Sequence, residues 1–76
     1  MIFARYLSSQ GHTRRFLVER DALVGWAVRE EADDQVVRLS RYRDWHRVER
    51  MMALFELKAS ALRQDGWQEV GATPQP

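Results

Sequence analysis

Apolar and polar positions alternate by two through the first half of the chain, then recur every three to four positions in the second. Residues 2–7 read as a strand, since Phe3 and Tyr6 are good strand formers. Residues 8–13, running from Ser8 to Thr13 through Gly11, read as a loop by composition. Over 15–20, Phe16 and Val18 fall on one face and Leu17 and Glu19 on the other. Over 23–30, Val24, Trp26 and Val28 alternate with Gly25, Ala27 and Arg29, the period of a half-covered strand. Glu31, Ala32, Asp33 and Asp34 form a polar turn. Residues 35–42 return as a further strand, with Val37 and Leu39 expected inward and Arg38 and Ser40 outward. The link is short enough for a hairpin.

Asp44 then takes the position of a helix N-cap, where a carboxylate accepts from backbone N–H groups of the first turn. From Trp45 to Gln64 there is neither Pro nor Gly, and Ala, Leu, Met, Glu and Arg dominate. Gly66 stands where a left-handed C-terminal cap is expected, with Trp67 folding back onto the last turn. At about 100° per residue, Trp45, Val48, Met51, Met52, Phe55, Ala59 and Leu62 share one broad apolar face. Its expected partners are Phe16, Val18, Trp26, Val28, Val37 and Leu39. The fold class that follows is α+β, a three- to four-stranded antiparallel sheet covered on one face by a long C-terminal helix. Residues 1–70 form the single domain, and the small, polar, Pro-containing stretch 71–76 reads as a disordered tail.

A helix of this length spans roughly 30 Å, while six- to eight-residue strands reach about 20–27 Å. Part of the helix is therefore expected to overhang or bend around its sheet. Leu54, Leu57 and Ala61 form a second, narrower stripe away from the core face, flanked by Arg50 and Lys58. These five residues are a candidate contact strip for a partner or a second copy of the chain. The plainer reading makes Leu54 an edge of the core and Leu57 an ordinary exposed leucine.

Composition narrows the class. With 76 residues, 45% hydrophobic and 30% charged, the chain fits one small globular domain, and such domains often gain from oligomerisation. It has no cysteine, hence no disulfide or thiolate metal site, which fits a cytoplasmic protein. No apolar run approaches a membrane span and no basic leader precedes a long apolar stretch. The formal charge of +1 excludes a polyanionic mimic and a polycationic nucleic-acid coat.

Catalytic signatures are sparse. His12 and His46 have no neighbouring ligands at zinc-site spacing. Ser40, His46 and Asp44 make a triad only on paper, without a GxSxG elbow. Four scattered glycines build no phosphate loop. The expectation is a protein that is not an enzyme, with no cofactor, metal or small-molecule substrate. The acidic group Glu30, Glu31, Asp33 and Asp34 reads as a solvated hairpin tip, or as a contact for a basic partner. Arg38, Arg41, Arg43, Arg47 and Arg50, with Tyr42 and Trp45 between them, are the type of pattern single-strand nucleic-acid binding uses. The candidate residues for such a contact, or for an acidic partner, are Arg41, Tyr42, Arg43 and Arg47. Against it, residues 1–43 carry eight Arg and six Asp+Glu, only +2. Alternation also sends Arg38 to the face opposite Arg41 and Arg43.

The opening Met1-Ile2-Phe3-Ala4-Arg5-Tyr6-Leu7-Ser8-Ser9, ahead of further strands and a C-terminal helix, resembles the small phage anti-CRISPR inhibitors. The similarity covers nine residues. It implies a non-enzymatic protein that binds protein surfaces of a CRISPR surveillance complex and masks target recognition. The strand bearing Arg5 and Tyr6 would then be a contact candidate. The single long helix departs from that family, which has more than one. The strand Gly25-Trp26-Ala27-Val28, a turn, the Val36-Val37 strand and a long helix are also similar in order to small bacterial domains of unknown function. That likeness implies a fold and no activity. The combined expectation is a protein-binding module, acting as a homodimer or as an inhibitor or accessory subunit of a larger assembly. The alternative is a nucleic-acid binder.

Overall fold

A computed structural model describes residues 1–70, so the tail expected over 71–76 lies outside the described residues. Strands β1 (Phe3–Ser9), β2 (His12–Asp21), β3 (Gly25–Ala32) and β4 (Gln35–Tyr42) form an antiparallel meander. Helix α1 (Trp45–Gln64) crosses one face, and β5 (Gln68–Glu69) returns beside β1. The sheet order is β4-β3-β2-β1-β5. The fold is α+β as expected, with five strands rather than three or four. A two-residue strand is too short to show alternation. β5 is held by pairing opposite Ser8 and Leu7 and by the Val70 N–H donating to the Tyr6 carbonyl at 2.8 Å.

The expected loop over 8–13 is instead a two-residue turn that lengthens both strands. Gln10 and Gly11 take φ of 51° and 84°, and Asp33 and Asp34 between β3 and β4 take 51° and 67°. Positive φ at both central positions suits the right-handed twist of a tight hairpin, and short polar side chains tolerate it. Between β2 and β3, Asp21 Oδ1 accepts from the Leu23 and Val24 N–H groups, closing a turn in which Leu23 is exposed rather than in a strand. Strand β3 thus begins later than expected, at Gly25.

Helix α1 has the expected bounds and caps. Asp44 Oδ1 accepts from the His46 N–H at 3.0 Å. At the other end, Gly66 has φ 96°, its N–H reaches the Arg63 carbonyl, and the Trp67 N–H reaches the Leu62 carbonyl. This double bond pattern ends a helix with a left-handed residue, and Trp67 and Leu62 both pack on the core. Val48, Met51, Phe55 and Ala59 are buried against Leu7, Phe16, Val18 and Val28. Phe55 sits 5.0 Å from Phe16 and 6.1 Å from Phe3 between ring centroids, and Trp45 sits 5.2 Å from Trp26.

These contacts fix the helix direction. It starts over the Trp26 and Tyr42 corner and ends beside β5, where Arg63 pairs with Glu69 at 2.7 Å. Its apolar face packs on the core from Trp45 to Leu62. The diagonal path leaves the sheet projecting past the helix at the other end of β4. There Gln35, Val36, Val37, Arg38 and Leu39 are all exposed, while Ser40 and Tyr42, nearer the helix start, are half-buried.

Val37 and Leu39 are therefore not core residues, being 59% and 46% exposed. Register supplies the reason. Tyr42, Ser40 and Arg38 stand opposite Trp26, Val28 and Glu30, so they take the helix-facing side, and Leu39 takes the other. A bulge between Glu30 and Glu31 then shifts pairing so that Val36 opposes Glu31, leaving Val37 as the extra residue. Strand β1 contributes to the core instead, through Leu7 and the partly buried Phe3.

Candidate functional site

Strand β4 is an edge strand, with nothing paired along its outer side among the described residues. Val36, Val37 and Leu39 expose 54%, 59% and 46% of their surface there. The adjoining wall is one flank of α1. Lys58 reaches Glu30 of β3 at 3.1 Å, whereas Glu56 reaches Arg5 of β1, so the Lys58 side of the helix faces β3 and β4. At about 100° per residue, Arg47, Leu54 and Ala61 lie on that same flank, with Arg50 and Leu57 further towards solvent. Leu57 is well exposed and Leu54 moderately so. The helix stripe and the β4 arginines, far apart in sequence, thus border one side of the molecule.

The arginines of this side differ in their ties. Arg41 Nε donates to Asp21 Oδ2 at 2.9 Å. Arg38, Arg43, Arg47 and Arg50 are exposed and make no ion pair among the described residues. Tyr42 and Trp45 are packed against the core, so the aromatic rings between the arginines are turned inward. Asp44 is occupied as the helix cap, and His46 lies 3.4 Å from Glu49.

Lys58 is held by a cluster that sequence reasoning missed. Glu30 is only 5% exposed, and it accepts from Arg14 Nη2 and from Lys58 Nζ. Burial raises the Glu30 carboxyl, but the hydrogen bonds and charges of Lys58 and Arg14 outweigh it and hold the group below its ordinary value. The available signal was alternation: Glu30 follows Trp26 and Val28 on the covered face. Of the acidic group at the β3–β4 hairpin, Asp33 and Asp34 are exposed as a solvated tip would be, whereas Glu30 and Glu31 are largely covered. Glu31 pairs with Arg15 and Arg29, and Asp34 with Arg15. Asp33 Oδ1 accepts from the Thr13 N–H at 3.0 Å, and its carboxylate lies 3.1 Å from His12 Nδ1. Those contacts hold the Asp33 carboxyl below its ordinary value, the Thr13 N–H being the largest cause.

Arg5 and Tyr6 lie on opposite faces of β1. Arg5 donates to both Glu56 carboxylate oxygens at 3.0 Å, locking β1 to the helix. Tyr6 belongs to the face away from the helix, with the Arg15 guanidinium 5.7 Å from its ring centre. That face is a lattice of alternating charge, Glu19–Arg29–Glu31–Arg15–Asp34. Arg29 Nε lies 2.8 Å from Glu31 Oε2 without the alignment of a hydrogen bond. Leu17, on this face between Ala4 and Arg29 in register, is nonetheless buried. Long charged side chains beside it, such as Arg29, can cover such a residue with their aliphatic stems. A shallow depression of about 390 Å³, lined by Tyr6, Leu7, Thr13, Arg14, Arg15 and Val70, lies beside the β1–β2 turn.

Among the described residues, no three His, Asp or Glu side chains converge as a metal site would require, and no helix is long and apolar enough to cross a membrane. No family model matches the chain, and neither a curated protein nor a solved structure matches it.

Proposed function

We propose that this chain is a small non-enzymatic binding module that acts by protein–protein contact, as an inhibitor or accessory subunit of a larger assembly. One observation carries the reading. Apolar side chains are exposed around the β4 edge of this small domain, Val36 and Leu39 on the face away from the helix, Val37 at the bulge, and Leu54 and Leu57 on the adjoining helix flank. Such surfaces are ordinarily covered by a partner. The resemblance of residues 1–9 to small phage inhibitors supports the same class of function. A nucleic-acid contact finds less support, because Tyr42 and Trp45 are packed inward and cannot stack on bases.

The test is capture from a nuclease-treated bacterial lysate on the immobilised chain, with a Leu39→Lys/Leu57→Glu double variant beside it. A discrete protein retained by the wild type and lost by the variant supports the reading. Equal retention by both, or retention that vanishes with nuclease, overturns it.

A further inference from the structure

The partner's chemistry can be read from the β4 edge, and this deepens the binding-module reading, on which it rests. We propose that β4 accepts an extended acidic segment of another protein as an added antiparallel strand. Among the described residues, the outward-facing backbone N–H and C=O groups of Gln35–Tyr42 are unpaired, and main-chain pairing of that type supplies affinity without demanding a pocket.

Charge selects among possible occupants. β4 carries Arg38 and Arg41, is followed by Arg43, and contains no acidic residue. Arg47 and Arg50 add to the same side from the helix. A second copy paired edge to edge would bring both sets of these cations to a single seam with no acidic residue on either strand, and like charges crowded across strands are destabilising. A nucleic acid would want the cations along one face with exposed rings. Here Arg38 and Arg41 point to opposite faces, and Tyr42 is packed on the core. An acidic strand satisfies both the backbone and the arginines.

The two faces of β4 also set the pattern of the segment. On the helix side, an added residue meets Arg38 and Ser40, with Arg47 on the flank above, which favours carboxylates. On the other side it meets Val36 and Leu39, with Arg41 on that face already held by Asp21, which favours β-branched or aliphatic side chains. Since successive strand residues point to opposite faces, the segment alternates acidic and apolar.

The probe is a blocked hexapeptide of alternating Glu and Val, titrated into the full chain while backbone amide shifts and exchange rates are followed by NMR. The expected result is saturable change centred on β4, with slowed exchange of its outward amides. A Lys-for-Glu peptide should give no such change. N-methylation along one edge of the peptide should weaken binding about tenfold by removing strand pairing. Arg38→Glu, at an exposed position, should reverse the preference between the two peptides. Equal binding of both peptides, indifference to N-methylation, changes centred on Leu54 and Leu57, or no change at all would overturn the proposal. So would self-association through β4, or stronger shifts of the same amides by a single-stranded oligonucleotide. If the lysate experiment yields a protein that the double variant loses while the peptide fails, the binding-module reading stands and the strand-addition inference alone falls.

Discussion

Glu30 shows how one position ties packing to charge. A carboxylate in the covered layer is tolerable only because Arg14 and Lys58 both donate to it, since an unpaired buried charge is costly. Replacing it by Leu leaves the two cations without a partner, although both are partly exposed and can turn to water. Glu30→Leu should therefore cost about 2 kcal/mol by urea unfolding, less than the roughly 3–5 kcal/mol of a fully buried pair that is broken. Lys58→Ala should cost less, because Arg14 remains. The same contacts dictate the response to acid. Asp21, Glu30 and Asp33 are all held below their ordinary values, so each contributes stability at neutral pH. That contribution is complete above the unfolded-state values and is lost as pH falls through the lower folded-state ones. Stability should thus decline from about pH 4 downward, within and below the ordinary carboxylate range. A pH series of urea midpoints checks this, and Glu30→Gln should flatten the decline.

The turns and caps set the boundaries of each element, and their glycines differ in what surrounds them. Gly25 has φ 137°, and a Cβ there would lie 2.9 Å from the Tyr42 carbonyl oxygen. The obstacle is backbone, so it cannot swing aside. Gly25→Ala should lower stability by about 2–3 kcal/mol, combining dihedral strain with a shift of the β3–β4 pairing. Gly66 has φ 96° with open space around it. Gly66→Ala should cost only the left-handed strain, about 1 kcal/mol. Thermal unfolding of the two variants separates clash from strain. At the other end of α1, Asp44→Ala should cost about 1 kcal/mol by removing the acceptor for the His46 N–H.

For the molecule as a whole, the covered and uncovered surfaces should respond in opposite ways. Phe55 lies at the centre of the core, beside Phe16 and Phe3. Phe55→Ala should cost about 3–5 kcal/mol, much of the stability a domain of this size holds. Leu57 is 69% exposed, so Leu57→Glu should change stability by no more than about 0.5 kcal/mol. Chemical denaturation reads both. A sizeable loss for Leu57→Glu in a dilute sample would mean that Leu57 is covered in solution by a second copy.

Local rules were enough for the helix and for most of the sheet. The absence of Pro and Gly between Trp45 and Gln64, the Asp44 cap and the Gly66 stop act within a few residues of one another. A window of sequence therefore shows them directly, as it does the bounds of β4 and the inward set Phe16, Val18, Trp26 and Val28. Period-two alternation, however, says which residues share a face and not which face is covered. For β4 that depended on its register against β3, on the bulge at Val37 and on the diagonal course of α1, all non-local. Val37 and Leu39 consequently lie exposed, and the candidate site sits where the sequence pattern placed core. The β5 pairing, the burial of Leu17 and the capture of Lys58 by Glu30 have the same origin. Each brings together residues distant in sequence, so only the packed chain could decide them.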